Sequence, residues 1–185
     1  MPTYRKHPHK VKSKKTRSQS FETLVCDKRV AIVGPSKSLC NTDLGHIIDQ
    51  YDVVIRINRF EDIKNHTDYG TKTTVLFYGF INQPTCSWNG LSLVKAAHPL
   101  KYKISRDYSN YQNYIQTRRK YKYLHFELYN YDRVCKYFGD VIRSLNFPTS
   151  GFWAVLEIFS HLDQIKELGV FGIDFCLHSY IDGYQ

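Results

Sequence analysis

Three short segments of this 185-residue chain place small, hydroxyl-bearing or cationic residues where the charge of a ligand could be held. The first is Gly34-Pro35-Ser36-Lys37-Ser38, which joins an apolar run to a helical pattern. Glycine there lets backbone approach a ligand closely, and amides and hydroxyls at a helix start can bind phosphate. It is not a Walker A loop, because no Gly-Lys-[Ser/Thr] follows, and Gly34 lacks the further glycines of a dinucleotide fingerprint. The second is Arg56-Ile57-Asn58-Arg59, where two cations and an amide end a strand and suit an anionic or nucleotide ligand. Arg56 could equally pair with Asp49 or Asp52 while Asn58 caps a turn. A nicotinamide-binding fold wants an acid for the ribose at this point, and the chain has none, which argues against a dehydrogenase. The third is Pro148-Thr149-Ser150-Gly151, ahead of an amphipathic helix. Thr149 or Ser150 is a natural N-cap, and the same hydroxyls and free amides make an anion site at a helix N-terminus.

The elements that must position these segments follow from apolar periodicity. Strands are expected at Val30–Val33, Asp52–Ile57, Thr73–Tyr78, Tyr102–Ser105, Tyr121–Phe126 and Leu168–Ile173. Leu44, Ile47, Ile48 and Tyr51 make one helix face, and further helices are expected at about Tyr131–Leu145 and from Gly151 to about Leu162. Near-continuous apolar strands alternating with helices imply an α/β protein: a Rossmann-like, mostly parallel sheet with helices on both faces. Such sheets bind ligands beyond the carboxyl ends of their strands, where all three segments fall.

Charge and cysteine usage set the wider bounds. The formal charge is +9, but seven of the 26 cations fall in residues 1–20, which hold no acid, leaving 19 against 17 acids in the rest. The expected organisation is a basic, disordered tail over residues 1–27 and a single domain over 28–185. The tail is either merely solvated or in weak contact with a polyanion. Five irregularly spaced cysteines without C-x-x-C fit neither a disulfide framework nor a zinc site, so a reducing compartment is expected. No apolar run nears the ~18 residues of a membrane-spanning helix. Residues 101–137 carry nine of the 15 tyrosines, which could wall a sugar site or simply serve the core.

Read in order, the three segments resemble glycosyltransferase family 29, the animal-type sialyltransferases. The long motif of that family is matched by Ala31–Ser36, Leu44-Gly45, Ile48-Asp49, Asp52–Asn58 and Asp68–Thr74, and the short motif by Pro148–Phe152 with Val170–Phe175. The resemblance implies a GT-A-like variant of the Rossmann fold. It implies an inverting, metal-independent enzyme with no cofactor, moving sialic acid or a related sugar from a CMP-sugar donor to a glycan hydroxyl. Gly34, Ser36, Asn58, Thr149, Ser150 and Gly151 would then meet the donor, with helix N-termini at Ser36 and at Ser150–Gly151 holding its phosphate and carboxylate. The chain departs from the family at Pro35, where asparagine is usual, and in lacking counterparts of the paired cysteines.

The family's general base is a histidine in a His-x4-Glu motif, and none follows the last strand here. Cys176-Leu177-His178-Ser179-Tyr180-Ile181-Asp182 resembles the motif before it. Either His178 contacts the donor and the base is lost, or His178 is the base with Asp182 as its orienter. The expected protein is soluble and cytoplasmic or otherwise intracellular, of microbial or viral type. The alternatives are a catalytically inactive nucleotide-binding relative and a nucleic-acid-binding protein led by its basic tail.

Overall fold

The computed structural model describes residues 19–60, 63–82, 84, 88, 90–97, 105–144, 149–174, 177 and 179–180. Its elements run α1 (Phe21–Val25), β1 (Arg29–Val33), α2 (Gly45–Ile48), β2 (Val53–Ile57), α3 (His66–Tyr69), β3 (Val75–Tyr78), β4 (Leu93–Ala96), α4 (Ser105–Lys120), β5 (His125–Glu127), α5 (Tyr131–Ser144), α6 (Ser150–Phe159) and β6 (Glu167–Phe171). The six strands form one sheet in the order β5-β4-β3-β2-β1-β6, and every pairing is parallel.

The apolar strand runs explain this arrangement. Alternate residues bury themselves on opposite faces. Val30, Ile32, Val53, Ile55, Val75, Phe77 and Leu93 pack on the face that holds α1 and α6. On the other face, Ala31, Val33 and Val54 meet Leu39, Ile48 and Tyr69, while Leu76, Tyr78, Val94 and Ala96 belong to a cluster with Tyr114 and Trp88. The chain steps outward from β1 to β5 and then returns to place β6 on the far side of β1. The strand order therefore reverses between β1 and β6. In a parallel α/β sheet, that reversal opens a crevice at the carboxyl ends of the two strands.

Four expectations need correction. The folded body reaches back into the stretch read as tail: Phe21 is 2% exposed and sits edge-on to Phe77 and His161, at 5.4 and 5.3 Å. Phe21 N–H donates to the Glu127 carboxylate, Oε1, 106 residues away, and a contact of that range cannot be placed from composition. Residues 1–18 lie outside the described residues. Of the expected strand Tyr102–Ser105, Tyr102 to Ile104 lie outside as well, and Ser105 opens α4 instead. Tyr111, Tyr114 and Ile115 show why, since their i, i+3, i+4 spacing is helical despite the β preference of tyrosine. In the stretch Tyr121–Phe126, Tyr121 begins a turn closed by Leu124 N–H, and the strand is only His125–Glu127. On the α2 face, Ile48 and Tyr51 are buried but Ile47 is 38% exposed. Strand β4 had no counterpart in the sequence reading, because Lys95 interrupts its apolar pattern.

Five described tyrosines of the middle region serve the core: Tyr114, Tyr121 and Tyr129 are buried, Tyr111 and Tyr131 pack against the same cluster, and Tyr121 stacks on Trp88 at 5.2 Å. Among the described residues, Cys26, Cys40 and Cys135 are free thiols, and no helix is long and apolar enough to cross a membrane.

Candidate active site

Gly34 ends β1 at the strand reversal, and its lack of a side chain has an internal cause. A Cβ there would lie 2.4 Å from the carbonyl oxygen of Gly172 and 2.6 Å from Ile173 Cγ1. Gly34 N–H donates to Phe171 O at 2.8 Å. The backbone that approaches Gly34 is the chain's own, which accounts for glycine at this position by packing alone.

Ser36 is likewise built into the fold. It is 1% exposed, its hydroxyl donates to Asp174 Oδ2 at 2.5 Å, and Ser36 Oγ itself accepts from Ser38 N–H at 3.1 Å. Its carbonyl accepts from the Tyr69 hydroxyl at 2.6 Å, and its N–H donates to Gly172 O at 3.1 Å. The helix it caps is one 3-10 turn, Lys37–Leu39. The expected anion-binding helix N-terminus at Ser36 is therefore absent, and Ser36 instead fastens the β1 turn to the segment after β6. Burial, with the Cys40 thiol beside it, pushes the Tyr69 phenol well above its usual range. It remains a neutral donor to that turn.

The long motif beyond the first turn also proves to be framework. Arg56 is 2% exposed. Its Nε donates to Lys72 O and Thr73 Oγ1, and its Nη2 to Tyr69 O at 2.7 Å. Burial lowers the guanidinium pKa to about 10, against the pull of Asp49. Burial alone would raise the Asp49 carboxyl, but N–H bonds from Lys72 and Thr71, with the Thr71 hydroxyl, hold it below the ordinary value. Gly70, at φ +71°, is required where a Cβ would strike Asp49 Oδ1 at 2.4 Å. Asp68 gathers Asn41 N–H, Asp43 N–H and Asn65 Nδ2, tying the loop before α2 to α3. Arg56 is therefore used inside the fold, but not in the expected pairing with Asp49 or Asp52: its bonds go to two carbonyls and a threonine hydroxyl, and Asp49 acts on it only as a nearby charge.

Asn58 is different. It turns out of β2 in a left-handed conformation, φ +53°, with its N–H on Phe77 O. Its side-chain oxygen accepts from Gly79 N–H at 3.0 Å, which fixes the amide plane. The two Nδ2 hydrogens have no partner among the described residues, and the residue is half-buried.

The start of α6 lies beside it. Thr149 is the N-cap, accepting from Phe152 N–H at 3.2 Å, as its residue type predicts. The N–H groups of Ser150 and Gly151, and the Ser150 hydroxyl, have no partner among the described residues. A Cβ on Gly151 would meet only Thr149 Oγ1 at 3.8 Å and Ile57 Cδ1 at 4.0 Å, ordinary contacts. Packing does not require glycine at this position, whereas it does at Gly34. Ile57 is the last residue of β2, so the free donors of α6 and the Asn58 amide share the carboxyl edge of the sheet.

The structure thus divides the expected site residues. Asn58 and the start of α6, Thr149 to Gly151, both sit at the carboxyl edge of the sheet and carry donors with no partner among the described residues, while Gly34 and Ser36 brace the turn after β1. His178, Asp182 and Pro148 lie outside the described residues. Asp174, the carboxylate that takes the Ser36 proton donor, had no role in the sequence reading. Only the strand order brings these two residues, 138 apart in sequence, together.

Residues 2–169 match the model of glycosyltransferase family 29 (sialyltransferase). A rat protein, CMP-N-acetylneuraminate-beta-galactosamide-alpha-2,3-sialyltransferase 4, is 43% identical over 61 residues, which are 32% of this chain and 18% of that one. A mouse type 2 lactosamine alpha-2,3-sialyltransferase is 42% identical over 59 residues, 31% of this chain and 18% of its own. A solved mammalian sialyltransferase in complex with Gal-beta-1-3GalNAc-ortho-nitrophenol superimposes with a TM-score of 0.56 at 19% identity. It covers 83% of this chain, which spans 58% of that chain. This last likeness bears on the fold, and supports the Rossmann-like, GT-A-like sheet.

Proposed function

The chain belongs to glycosyltransferase family 29, and we propose on that footing that it binds a CMP-sugar and transfers sialic acid, or a related sugar, to a glycan hydroxyl. The observation that carries this reading is the unengaged first turn of α6 beside Asn58. The N–H groups of Ser150 and Gly151, at the helix's positive end, have no partner among the described residues, and a Cβ on Gly151 would meet only ordinary contacts, so packing there does not require glycine. In this reading those N–H groups take the donor phosphate, and Asn58 Nδ2 donates to the nucleotide.

Transfer then proceeds by inversion. The acceptor hydroxyl oxygen forms a bond to the anomeric carbon while the bond from that carbon to the CMP phosphate oxygen breaks on the opposite face. Charge grows on the departing phosphate, and fixed N–H donors stabilise it there without a metal. The acceptor proton goes to a base, for which His178 is our assignment. Ser36, Gly34 and Asp174 act by holding the adjoining turn. We also retain the reading of a soluble intracellular protein, which its free thiols favour.

Thermal unfolding with and without CMP tests the binding step. Millimolar CMP raises Tm for the wild type, and Asn58→Ala removes most of the rise. Gly151→Ala leaves the unliganded Tm unchanged or slightly higher, since alanine suits a helix better than glycine, yet it weakens CMP binding about tenfold or more by filling the phosphate space. A wild-type Tm that ignores CMP overturns the proposal. CMP binding without transfer or donor hydrolysis would identify an inactive nucleotide-binding relative instead. Transfer that persists in EDTA is expected from a metal-independent site, and His178→Ala should abolish it while sparing the CMP shift.

A further inference from the structure

The far end of α4 carries charge that neither the core nor the donor site uses. Arg118, Arg119 and Lys120 occupy its last turn and Lys122 follows, all exposed. No acid occurs in the sequence between Asp107 and Glu127. Three other described cations of the body do meet carboxylates: Arg29 meets Glu167, Arg133 meets Glu22 and Asp163, and Lys95 meets Glu157. These four meet none among the described residues. Arg118 lies by the Tyr114 phenol, and Lys120 sits 5.0 Å from the centre of the Tyr121 ring. Cations at a helix C-terminus complement its dipole. That accounts for the last turn but not for Lys122, nor for Tyr123, which is 65% exposed beside them.

The patch is rigidly mounted. Tyr121 is buried and stacked on Trp88, and its ring meets Tyr123 edge-on at 6.0 Å. Helix α4 feeds the start of β5, so the cluster lies at the amino edge of the sheet, at the end opposite Asn58 and Gly151. We propose that this end of the molecule, Arg118, Arg119, Lys120, Lys122 and Tyr123, docks on an anionic phospholipid surface. Four cations packed into little more than one turn form a compact, convex charge that suits a sheet of headgroups. A tyrosine among them presents an apolar ring with a polar tip, the form favoured at a membrane–water interface. A single-stranded nucleic acid would want a groove with successive stacking faces, and here Tyr121 is buried, leaving one. Docking by this end turns the carboxyl edge of the sheet, with Asn58 and Gly151, away from the lipid.

Sedimentation of the full chain with vesicles tests the proposal at physiological salt. Phosphatidylcholine vesicles containing phosphatidylserine carry the protein down, and pure phosphatidylcholine vesicles do not. Arg119→Glu/Lys122→Glu weakens the partition about tenfold or more, and Tyr123→Ser weakens it severalfold, with the Tm of each unchanged. To separate this end from the N-terminal cations, Lys12→Gln/Lys14→Gln/Lys15→Gln is run beside them and retains most of the binding. Partition that ignores the α4 reversal, or that vanishes with the N-terminal substitutions alone, overturns the proposal. So does a protein that leaves the vesicles in solution but binds polyuridine through the same four cations.

Discussion

Two cations are buried in the sheet, one on each face, and they are accommodated by opposite means. Arg56 on β2 is surrounded by neutral acceptors: two carbonyls and a threonine hydroxyl, all from residues 69–73. Lys95 on β4, 3% exposed, lies against carboxylates, with Glu157 Oε1 at 2.9 Å and Glu127 Oε2 at 3.2 Å. The first site is fully bonded through a loop shaped to a planar fork. The second is not, for Glu157 Oε2 is buried with no hydrogen-bond partner. Burial accordingly drives Glu157 up to about 7, against the pull of Lys95 and of Asn130 N–H. Geometry supports Arg56, whereas Lys95 and Glu157 depend mainly on each other.

The largest effect expected from this contrast is at Lys95. Lys95→Met leaves Glu157 as an uncompensated buried acid and costs about 3–5 kcal/mol, read as a shift in the urea midpoint. Lys95→Met/Glu157→Leu removes both charges and recovers most of that loss, because a buried pair contributes little beyond its apolar replacement. A double variant as unstable as the single one would show that something other than the pair holds Lys95.

The same contrast explains what could be read in advance. Arg56, Asp49 and the run Asp68–Thr74 lie within 26 residues of one another, and their types and spacing drew attention before any fold was known. The apolar strands β1, β2, β3 and β6 were legible for the same reason, being short uniform runs between turn residues. Lys95, Glu127 and Glu157 come from three elements, and each alone looks like a surface charge. Lys95 also hid its own strand, since a buried cation breaks the apolar run by which β4 would be recognised. At the site, Thr149 was legible because capping is local. The difference between Gly34 and Gly151 was not, because it depends on whether the Gly172 carbonyl or only ordinary contacts would meet a Cβ.

An intermediate effect is expected at Arg56. Arg56→Lys keeps the charge but replaces a fork by a point, so it cannot serve Lys72 O, Thr73 Oγ1 and Tyr69 O together. At least one buried acceptor goes unpaired, at about 1–3 kcal/mol. Thermal unfolding monitored by circular dichroism would show it. An unchanged Tm would mean that charge alone, without the fork, supports the 69–73 loop.

The smallest effect in any single step is in pH dependence, and it has opposite sign on the two faces. Asp49 is held below its ordinary value of 3.8, so its contribution is present above that pH and is lost as pH falls through the folded-state value. Glu157 runs the other way. Between its ordinary 4.5 and about 7 the native protein keeps a proton that the unfolded chain has released, so stability falls as pH rises across this window. The slope is at most about 1.4 kcal/mol per pH unit. His161, whose pKa burial lowers, contributes stability that rises with pH up to 6.5, so the wild-type curve alone mixes the two. Glu157→Gln keeps His161 and Asp49 and removes only the buried acid. Subtracting its urea-derived stabilities from those of the wild type should therefore leave a difference that declines from pH 4.5 to 7 and is flat on either side. A flat difference throughout would mean that Lys95 holds Glu157 ionised across the whole range, making the second face as fully compensated as the first.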